Sequence, residues 1–382
     1  MRKKSWKKVL FITGTRADYG KIKSLMKYMD RSEEYEVYIY VSGMHLLAQY
    51  GSTYREVLKD GYQNVHVAFE QIHTDNMSYN MGVILTHFSA YMAHIEPDMI
   101  IVHGDRIDAL AGAIAGAMNN ILVAHIEGGE ISGTIDDSIR HAISKFAHLH
   151  FVCNEQAKKR LIQLGESEEH IYVIGSPDID VMISDELPKL EQVKNYYDIS
   201  FEKYGIFMYH PVTTELPQLA QHIEIILSAL KKSKKNFVAV YPNNDLGTEV
   251  ILDRIKELDQ LENFAVFPSI RFEYFLTLLK NASMIIGNSS AGIRESGIYG
   301  IPAIDIGTRQ NGRYDIQKLK NVQHVNEKED DILKAIEKSD RYKIRCQDFG
   351  VGNSTEKFLE ILQQKEPWEC EVQKKFVDIL TE

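Results

Sequence analysis

Several features that would assign this chain to a specialised class are scarce. Its 382 residues include only three cysteines, which form neither a CxxC motif nor a cysteine–histidine spacing typical of zinc. Glycine and proline number 24 and 9, too few for a collagen-like or low-complexity chain. We therefore expect a folded, reduced protein without a disulfide framework.

Long apolar runs and net positive charge are also lacking. The longest nearly apolar stretch, residues 109–118, is far shorter than the ~20 residues needed to cross a bilayer. The apolar run at residues 9–12 is too short for a signal peptide. The formal net charge of −10 argues against a nucleic-acid partner. These features predict a cytoplasmic protein that binds neither membrane nor nucleic acid.

Short apolar runs alternate with longer amphipathic segments along the chain. This alternation predicts an α/β fold with parallel strands covered on both faces. The predicted strands lie at residues 9–13, 36–41, 99–103, 122–126, 150–153, 172–174, 205–209, 236–241, 264–267, 284–286 and 303–306. Because the pattern occurs twice, we predict two Rossmann-like domains facing a cleft. They span residues 1–179 and 180–365, and a C-terminal helix at 366–382 packs back on the first.

In such folds, ligands bind beyond the carboxyl ends of the strands. The loop after the first strand, residues 13–21, has glycines that suit phosphate approach, but it matches neither Walker A nor GxGxxG. Arg16 and Asp18 of this loop are candidate ligand contacts. The alternative is a tight turn with a solvent-exposed arginine.

Acidic side chains follow the next strands. Asp105 and Glu127 end successive predicted strands, and Asp136 lies in the following loop. Carboxylates that crowd at one sheet edge raise at least one pKa, which supplies an acid and a base near neutrality. Alternatively, these residues are helix caps and solvated loop acids, with Asp136 or Asp137 capping a helix that begins near residue 138.

The second half also places polar side chains just after its predicted strands. These are His210, Asn243, Ser289, Ser290 and Arg309. The two serines would open a helix and form an anion site from free backbone N–H groups, with Glu295 further along that helix to bind ribose hydroxyls. A structural histidine and an ordinary serine N-cap are the alternatives.

One short motif, Asp178-Ile179-Asp180, matches the DxD pattern that binds a metal–nucleotide complex in some glycosyltransferases. Three-residue matches are frequent by chance, and this one lies in the predicted interdomain linker. We therefore assign no metal site to it.

Six motifs occur in order along the chain: TGTRADY (13–19), HGDR (103–106), HIEGGE (125–130), HPVTT (210–214), GNSS (287–290) and GTRQ (307–310). Together they resemble the motifs of the hydrolysing UDP-N-acetylglucosamine 2-epimerases of bacterial sialic acid synthesis. The resemblance implies a GT-B fold and conversion of UDP-N-acetylglucosamine (UDP-GlcNAc) to N-acetylmannosamine and UDP. Elimination to a 2-acetamidoglucal would precede hydration, without cofactor or metal, in a homodimer or homotetramer. No kinase-type domain follows, so we expect the single-activity form.

The resemblance also implies roles for individual residues. Asp105, Glu127 and Asp136 match the family's acid/base positions, and His210 lies beside the diphosphate. The implied binding residues are Ser289 and Ser290 for the diphosphate, Glu295 for the ribose, Arg16, Arg106 and Arg309 as cations, and Asn243 and Phe275 near the uracil. Non-hydrolysing relatives carry Glu-Ala-Gly-Leu-Arg where this chain has Glu127-Gly128-Gly129-Glu130, which favours the hydrolysing branch.

Two other functions remain open at the sequence level. The motifs do not distinguish substituents at C4 and C6 of the sugar, so a nucleotide-linked 2,4-diacetamido-2,4,6-trideoxyglucose of legionaminic acid synthesis is an alternative substrate. A GT-B glycosyltransferase would need the nucleotide site but not the three acids.

Overall fold

The computed structural model describes residues 6–69 and 76–378, which form two units. The first unit contains the chain up to Glu130, residues 136–183 and the segment from Phe349 onward. The second contains residues 131–135 and 184–348. The crossover between residues 183 and 184 lies close to the predicted boundary at 179, but residues 349–365 belong to the first unit and not, as predicted, to the second.

A seven-stranded sheet forms the centre of the first unit, and every strand pair in it is parallel. Its strands are β1 (Lys7–Thr13), β2 (Tyr35–Val41), β3 (Asn64–Val67), β4 (Met99–His103), β5 (Leu122–Ile126), β6 (Leu149–Val152) and β7 (Ile171–Val173). The spatial order β3-β2-β1-β4-β5-β6-β7 places the reversal of strand order between β1 and β4. Ligands of doubly wound sheets bind at such a point.

Helices cover both faces of this sheet. They are α1 (Arg16–Asp30), α2 (Tyr54–Lys59), α3 (Met77–Ile95), α4 (Ile107–Met118), α5 (Ile135–Phe146), α6 (Glu155–Gln163) and α7 (Pro177–Ile183). On β1, Val9 and Phe11 pack with α1, while Leu10 and Ile12 pack with α3, α4 and α5 on the other face. Two-sided burial explains why the strands are apolar without alternation.

The second unit repeats the arrangement with a six-stranded parallel sheet in the order β10-β9-β8-β11-β12-β13. Its strands are β8 (Gly205–Met208), β9 (Phe237–Val240), β10 (Phe264–Phe267), β11 (Ile285–Gly287), β12 (Ala303–Ile306) and β13 (Val322–Val325). Its helices are α8 (Leu190–Tyr196), α9 (Leu216–Lys232), α10 (Thr248–Lys256), α11 (Phe272–Lys280), α12 (Ser296–Tyr299) and α13 (Glu329–Lys338). The order again reverses next to the first strand of the unit, between β8 and β11.

The end of the chain returns to the first unit through α14 (Ser354–Leu362). The predicted helix at 366–382 is wrong in its described part, which holds one 3-10 turn at Glu366–Trp368 and no further helix up to residue 378. Residues 379–382 lie outside the described residues. Instead of forming a helix, this segment makes long-range bonds: Lys374 Nζ donates to the carbonyls of Ser144 and Lys145, each 3.0 Å away, at the end of α5.

All three cysteines are free thiols. Within the described residues, no helix is both long and apolar enough to cross a membrane.

Candidate active site

The turn that follows β1 is closed by Asp18. Its carboxylate accepts hydrogen bonds from the Thr13 hydroxyl and from the backbone N–H of Gly14, the latter at 3.0 Å. The Thr15 hydroxyl accepts from the Asp18 N–H and caps α1. Burial raises the pKa of the Asp18 carboxyl above its usual range. The structure therefore gives Asp18 a role in shaping the loop.

Arg16 begins α1 and forms an ion pair with Glu56 of α2. Its side chain is 14% exposed, so the alternative of a solvent-exposed turn arginine is wrong. Gly14 has a steric reason to be glycine: a Cβ atom there would lie 2.2 Å from the carboxylate of Asp108, which is buried in the first turn of α4.

Helix α5 connects two of the predicted acids. Asp105, in the loop after β4, forms an ion pair with Arg140 of α5, a side chain that is almost completely buried. Asp136 is buried in the first turn of α5, four residues before Arg140, so both project from one helix face. The helix begins at Ile135, so the alternative in which Asp136 or Asp137 caps a helix that begins near residue 138 is wrong.

Glu127 follows β5, the parallel neighbour of β4, and is buried among polar groups. The Ser176 hydroxyl donates to its Oε1 at 2.8 Å. Lys21 Nζ lies 3.9 Å from Oε1, and His103 Nε2 lies 3.4 Å from Oε2. The backbone of Glu127 has φ 67°, a left-handed conformation that costs a non-glycine residue about 1–3 kcal/mol. Such strain is concentrated at functional positions.

The two glycines after Glu127 let this loop pack closely. A Cβ atom on Gly128 would lie 2.9 Å from His125 Nδ1, and one on Gly129 would lie 2.3 Å from the carbonyl oxygen of Ala157. His125 Nε2 donates to the Gly104 carbonyl at 2.8 Å, so its Nδ1 accepts from the Ser144 hydroxyl. Burial lowers the pKa of His125 to about 3. This neutral histidine joins the loops that carry Glu127 and Asp105.

His210 follows β8 in the second unit, and its backbone is held by the amide of Asn288. The His210 N–H donates to Asn288 Oδ1 at 2.7 Å, and Asn288 Nδ2 donates to the His210 carbonyl at 2.9 Å. The backbone N–H of Asn243 donates to His210 Nδ1 at 3.0 Å. Neutral His210 therefore carries its ring proton on Nε2, where it is a hydrogen-bond donor.

The serine segment after β11 differs from the expected long helix. Ser289 caps a single 3-10 turn, Ser290–Gly292, and Glu295 lies at the N-cap of the four-residue helix α12. The helix dipole should therefore contribute little to anion binding by these serines. Glu295 is buried, as is expected of a residue that binds a specific ligand group. Gly287 has φ 134°, and a Cβ atom there would lie 1.9 Å from the Met208 carbonyl oxygen. The close approach of β8 and β11 thus depends on this glycine.

The loop after β12 contacts the same segment of the second unit. Gln310 Nε2 donates to the Asn288 carbonyl at 2.8 Å, and Arg309 Nη1 donates to it at 3.3 Å. Asn288 therefore joins the His210, serine and Arg309 loops. Phe275 is a buried residue of α11. In the first unit, Arg106 occupies the N-cap position of α4.

One group in the described part of the chain has the spacing of metal ligands. The ligand atoms of Glu215, His222 and Glu327 lie within 4.8 Å of one another. The hydroxyls of Thr308 and Tyr209 donate to the two glutamates, so protein groups already bind these carboxylates. We do not assign this group a role in the reaction.

Sequence patterns assigned no role to several residues that contact the predicted ones or their partners. They are Lys21, Arg140, Ser176, Asp178, Asn288 and Gln310. Four of them stand inside or beside motifs that were noticed, but their partners are distant in sequence. Ser176, for example, is 49 residues from Glu127. No local spacing predicts such contacts.

Two Rossmann-like parallel units with polar side chains beyond their strands define a protein of the GT-B-like class. Residues 27–363 match the family model described as UDP-N-acetylglucosamine 2-epimerase. The chain belongs to that family, which confirms the resemblance.

Individual relatives agree with this assignment. The chain is 48% identical to a UDP-N-acetylglucosamine 2-epimerase of Neisseria meningitidis, over 98% of the chain and 99% of the relative. It is 32% identical to UDP-N,N'-diacetylbacillosamine 2-epimerase (hydrolyzing) of Legionella pneumophila, with 94% and 96% covered. It is 33% identical to polysialic acid biosynthesis protein P7 of Escherichia coli, with 80% of each covered.

A solved structure supports the fold. The UDP-GlcNAc 2-epimerase of Methanocaldococcus jannaschii, in complex with UDP-GlcNAc and UDP, matches with a TM-score of 0.78 at 20% identity. The match covers 93% of this chain and 99% of that one. The predicted pair of Rossmann-like domains is thus confirmed.

Proposed function

We propose that the chain is a hydrolysing UDP-GlcNAc 2-epimerase, which converts UDP-GlcNAc and water to N-acetylmannosamine and UDP. The observation that carries the proposal is the set of three buried or part-buried acids, Asp105, Glu127 and Asp136, which follow adjacent strands or begin α5. A glycosyltransferase needs no such set. The 48% identical relative named for UDP-GlcNAc supports the substrate, and the Legionella relative named as hydrolyzing supports the use of water.

The proposed reaction has two stages. A base removes the proton from C2 while the C1–O bond to UDP breaks, which gives 2-acetamidoglucal and UDP. Water then adds its oxygen to C1, and C2 receives a proton on the opposite face, which inverts that centre. Acid/base groups of this kind contribute about 100- to 10,000-fold each.

We assign removal of the C2 proton to Glu127. Asp105 forms a direct ion pair with the Arg140 guanidinium, which makes it a weak base. The Lys21 ammonium lies 3.9 Å from Glu127. Glu127 is therefore the more basic of the two carboxylates. Asp136 and Asp105 remain for the proton transfers of the hydration stage.

The second unit supplies the proposed UDP-binding residues. His210 can donate from Nε2 to a diphosphate oxygen as UDP departs. Ser289, Ser290 and Arg309 are the further diphosphate contacts, Glu295 binds the ribose, and Asn243 and Phe275 lie near the uracil. In the first unit, Arg16 and Arg106 are the proposed cationic contacts. Ser290→Ala should weaken UDP binding measured by calorimetry, and an unchanged Kd would contradict this role.

Proton NMR in deuterium oxide tests the reaction directly. We expect purified protein to convert UDP-GlcNAc to UDP and free N-acetylmannosamine with deuterium at C2. Formation of UDP-linked N-acetylmannosamine without release of UDP would show the non-hydrolysing reaction. Asp105→Asn, Glu127→Gln and Asp136→Asn should each lose about 100-fold in turnover while UDP still binds. Full activity of all three variants would refute the carboxylate assignment.

A second candidate substrate is the UDP-linked 2,4-diacetamido-2,4,6-trideoxyglucose. The Legionella relative is named for such a sugar, at lower identity than the UDP-GlcNAc relative. The same NMR assay with both substrates separates the two by kcat/KM. The polysialic acid relative supports a place for the product in sialic acid synthesis. The homo-oligomer and the cytoplasmic location stay predictions, and light scattering of the purified protein measures the former.

A further inference from the structure

The two aspartates of Asp178-Ile179-Asp180 have separate partners. The segment lies in helix α7 of the first unit, not in a linker, which corrects the sequence-based placement. Asp180 accepts hydrogen bonds from the backbone N–H groups of Ser354 at 3.0 Å and Thr355 at 2.6 Å, and so caps α14. Asp178 is 1% exposed, and its Oδ2 lies 3.7 Å from Lys21 Nζ.

Lys21 lies between two carboxylates. Its ammonium is 3.7 Å from Asp178 and 3.9 Å from Glu127, and all three side chains are at most 10% exposed. A single positive charge is therefore shared by two acids in a nearly dry environment, where charges interact strongly. The fraction of that charge available to Glu127 depends on Asp178.

We propose that Asp178 is a positioning residue that keeps Glu127 basic by drawing the Lys21 ammonium toward itself. This inference rests on the proposed function, in which Glu127 removes the C2 proton. The titratable side chains around Glu127 come from several elements: Lys21 of α1, His103 of β4, His125 of β5 and Asp178 of α7, with Asp18 beside His103.

Neutralising Asp178 should make Glu127 a weaker base. In Asp178→Asn, a nearby negative charge is lost and Asp178 no longer competes with Glu127 for the Lys21 ammonium. Both changes favour the charged form of Glu127 and so lower its pKa. The acidic limb of the plot of kcat/KM against pH should therefore move to lower pH by about one unit. Because a weaker base transfers a proton more slowly, kcat at the plateau should fall about 10-fold. Substrate deuterated at C2 should then show a larger isotope effect.

Removing Lys21 should have the opposite effect on the limb. In Lys21→Met, Glu127 faces a buried acid without the shared cation, and the acidic limb should move up by about one pH unit or more. Because the two variants are expected to shift in opposite directions, a general loss of structure cannot imitate the pair. Even if Asp178→Asn fails to fold, an unmoved or lowered limb in Lys21→Met would overturn the proposal.

Asp180 supplies a matched control from the same helix. Asp180→Asn removes a charge two residues from Asp178. The Asp180 carboxylate contacts the start of α14, whereas that of Asp178 contacts Lys21. We expect a lower Tm, because two backbone N–H groups at the start of α14 lose a charged acceptor, with the acidic limb unmoved. A limb shift equal to that of Asp178→Asn would show that any charge lost from α7 has this effect, and would overturn the specific role.

Glu127→Gln separates failure of this inference from failure of the proposed function. Wild-type turnover by Glu127→Gln would refute the assignment of the base itself. Inactive Glu127→Gln together with a wild-type pH limb in Asp178→Asn would refute only the role of Asp178. The proposal requires the acidic limb to move to lower pH in Asp178→Asn and to higher pH in Lys21→Met.

Discussion

Acidification should destabilise the first unit through histidines that are buried in their neutral form. His45 and His125 are both fully buried, and burial lowers the pKa of each to about 3. An unfolded histidine has a pKa near 6.5. Because the folded pKa is depressed, the stability that each contributes is present above pH 6.5 and is lost as the pH falls below it.

The size of the effect follows from the unfolded state. A pH of 5 lies about 1.5 units below the pKa of an unfolded imidazole. Each unit corresponds to about 1.36 kcal/mol of protonation free energy. The folded imidazole of His125 stays neutral at this pH, since its pKa is about 3. Each histidine should therefore cost about 2 kcal/mol of unfolding free energy between pH 7.5 and pH 5.

His125→Gln tests this value within one protein. The glutamine amide can donate to Gly104 and accept from Ser144, so the substitution keeps the type of hydrogen bond that His125 makes. Urea unfolding can be followed by tryptophan fluorescence, because both tryptophans, Trp6 and Trp368, lie in the first unit. Contributions from other titrating groups cancel in the difference between wild type and variant.

We expect the cost of His125→Gln to be about 2 kcal/mol smaller at pH 5 than at pH 7.5. At the higher pH, the variant loses the packing of the ring. At the lower pH, the variant also lacks the loss of unfolding free energy that comes from keeping a buried imidazole neutral. An equal cost at the two pH values would refute the reasoning, because it would mean that His125 takes up a proton without unfolding.

Three further predictions follow from the geometry. Gly287→Ala should destabilise the second unit by about 1–3 kcal/mol, measured by calorimetry, since its φ is 134° and a Cβ atom would meet the β8 backbone. Lys374→Met should lower stability by about 1–3 kcal/mol, because it removes a charged hydrogen bond to buried Glu166, whereas Lys375→Met should not. Asn288→Ala removes the two hydrogen bonds that hold the His210 backbone, so kcat should fall about 10- to 100-fold, with a smaller change in the Kd of UDP. An unchanged kcat would contradict this prediction.

The central strands of both sheets were predictable because burial on both faces leaves an uninterrupted apolar signal. All the predicted strands are present, with ends within two residues. The two that were missed, β3 and β13, are four-residue strands at sheet edges. Their sequences, Asn-Val-His-Val and Val-Gln-His-Val, mix polar and apolar residues because an edge strand is only partly covered. These two edge strands therefore lack the apolar signal, whereas the other two edge strands, β7 and β10, are apolar and were predicted.

The site was predictable where topology alone places residues, and not where side chains meet across the fold. Parallel strands align their carboxyl ends, so the positions of Asp105 and Glu127 followed from strand order. The Arg140 partner of Asp105 and the Ser176 partner of Glu127 depend on how α5 and the loop before α7 pack against the sheet. The non-helical form of residues 369–378 has the same cause, since Lys374 finds its partners in α5 and Glu166.

The backbone at Glu127 connects stability with the proposed chemistry. Its left-handed φ of 67° would suit a glycine, and the chain does place glycines at the next two positions, where contacts leave no room for a Cβ atom. At position 127 the chain has a charged side chain despite a backbone strain of about 1–3 kcal/mol. Ser176, His103 and Lys21 hold that carboxylate, and the backbone N–H of Glu127 still bonds to Phe151 in β6. Because the carboxylate is buried and is held by three polar side chains, the glutamate at this strained position is best explained by its carboxylate.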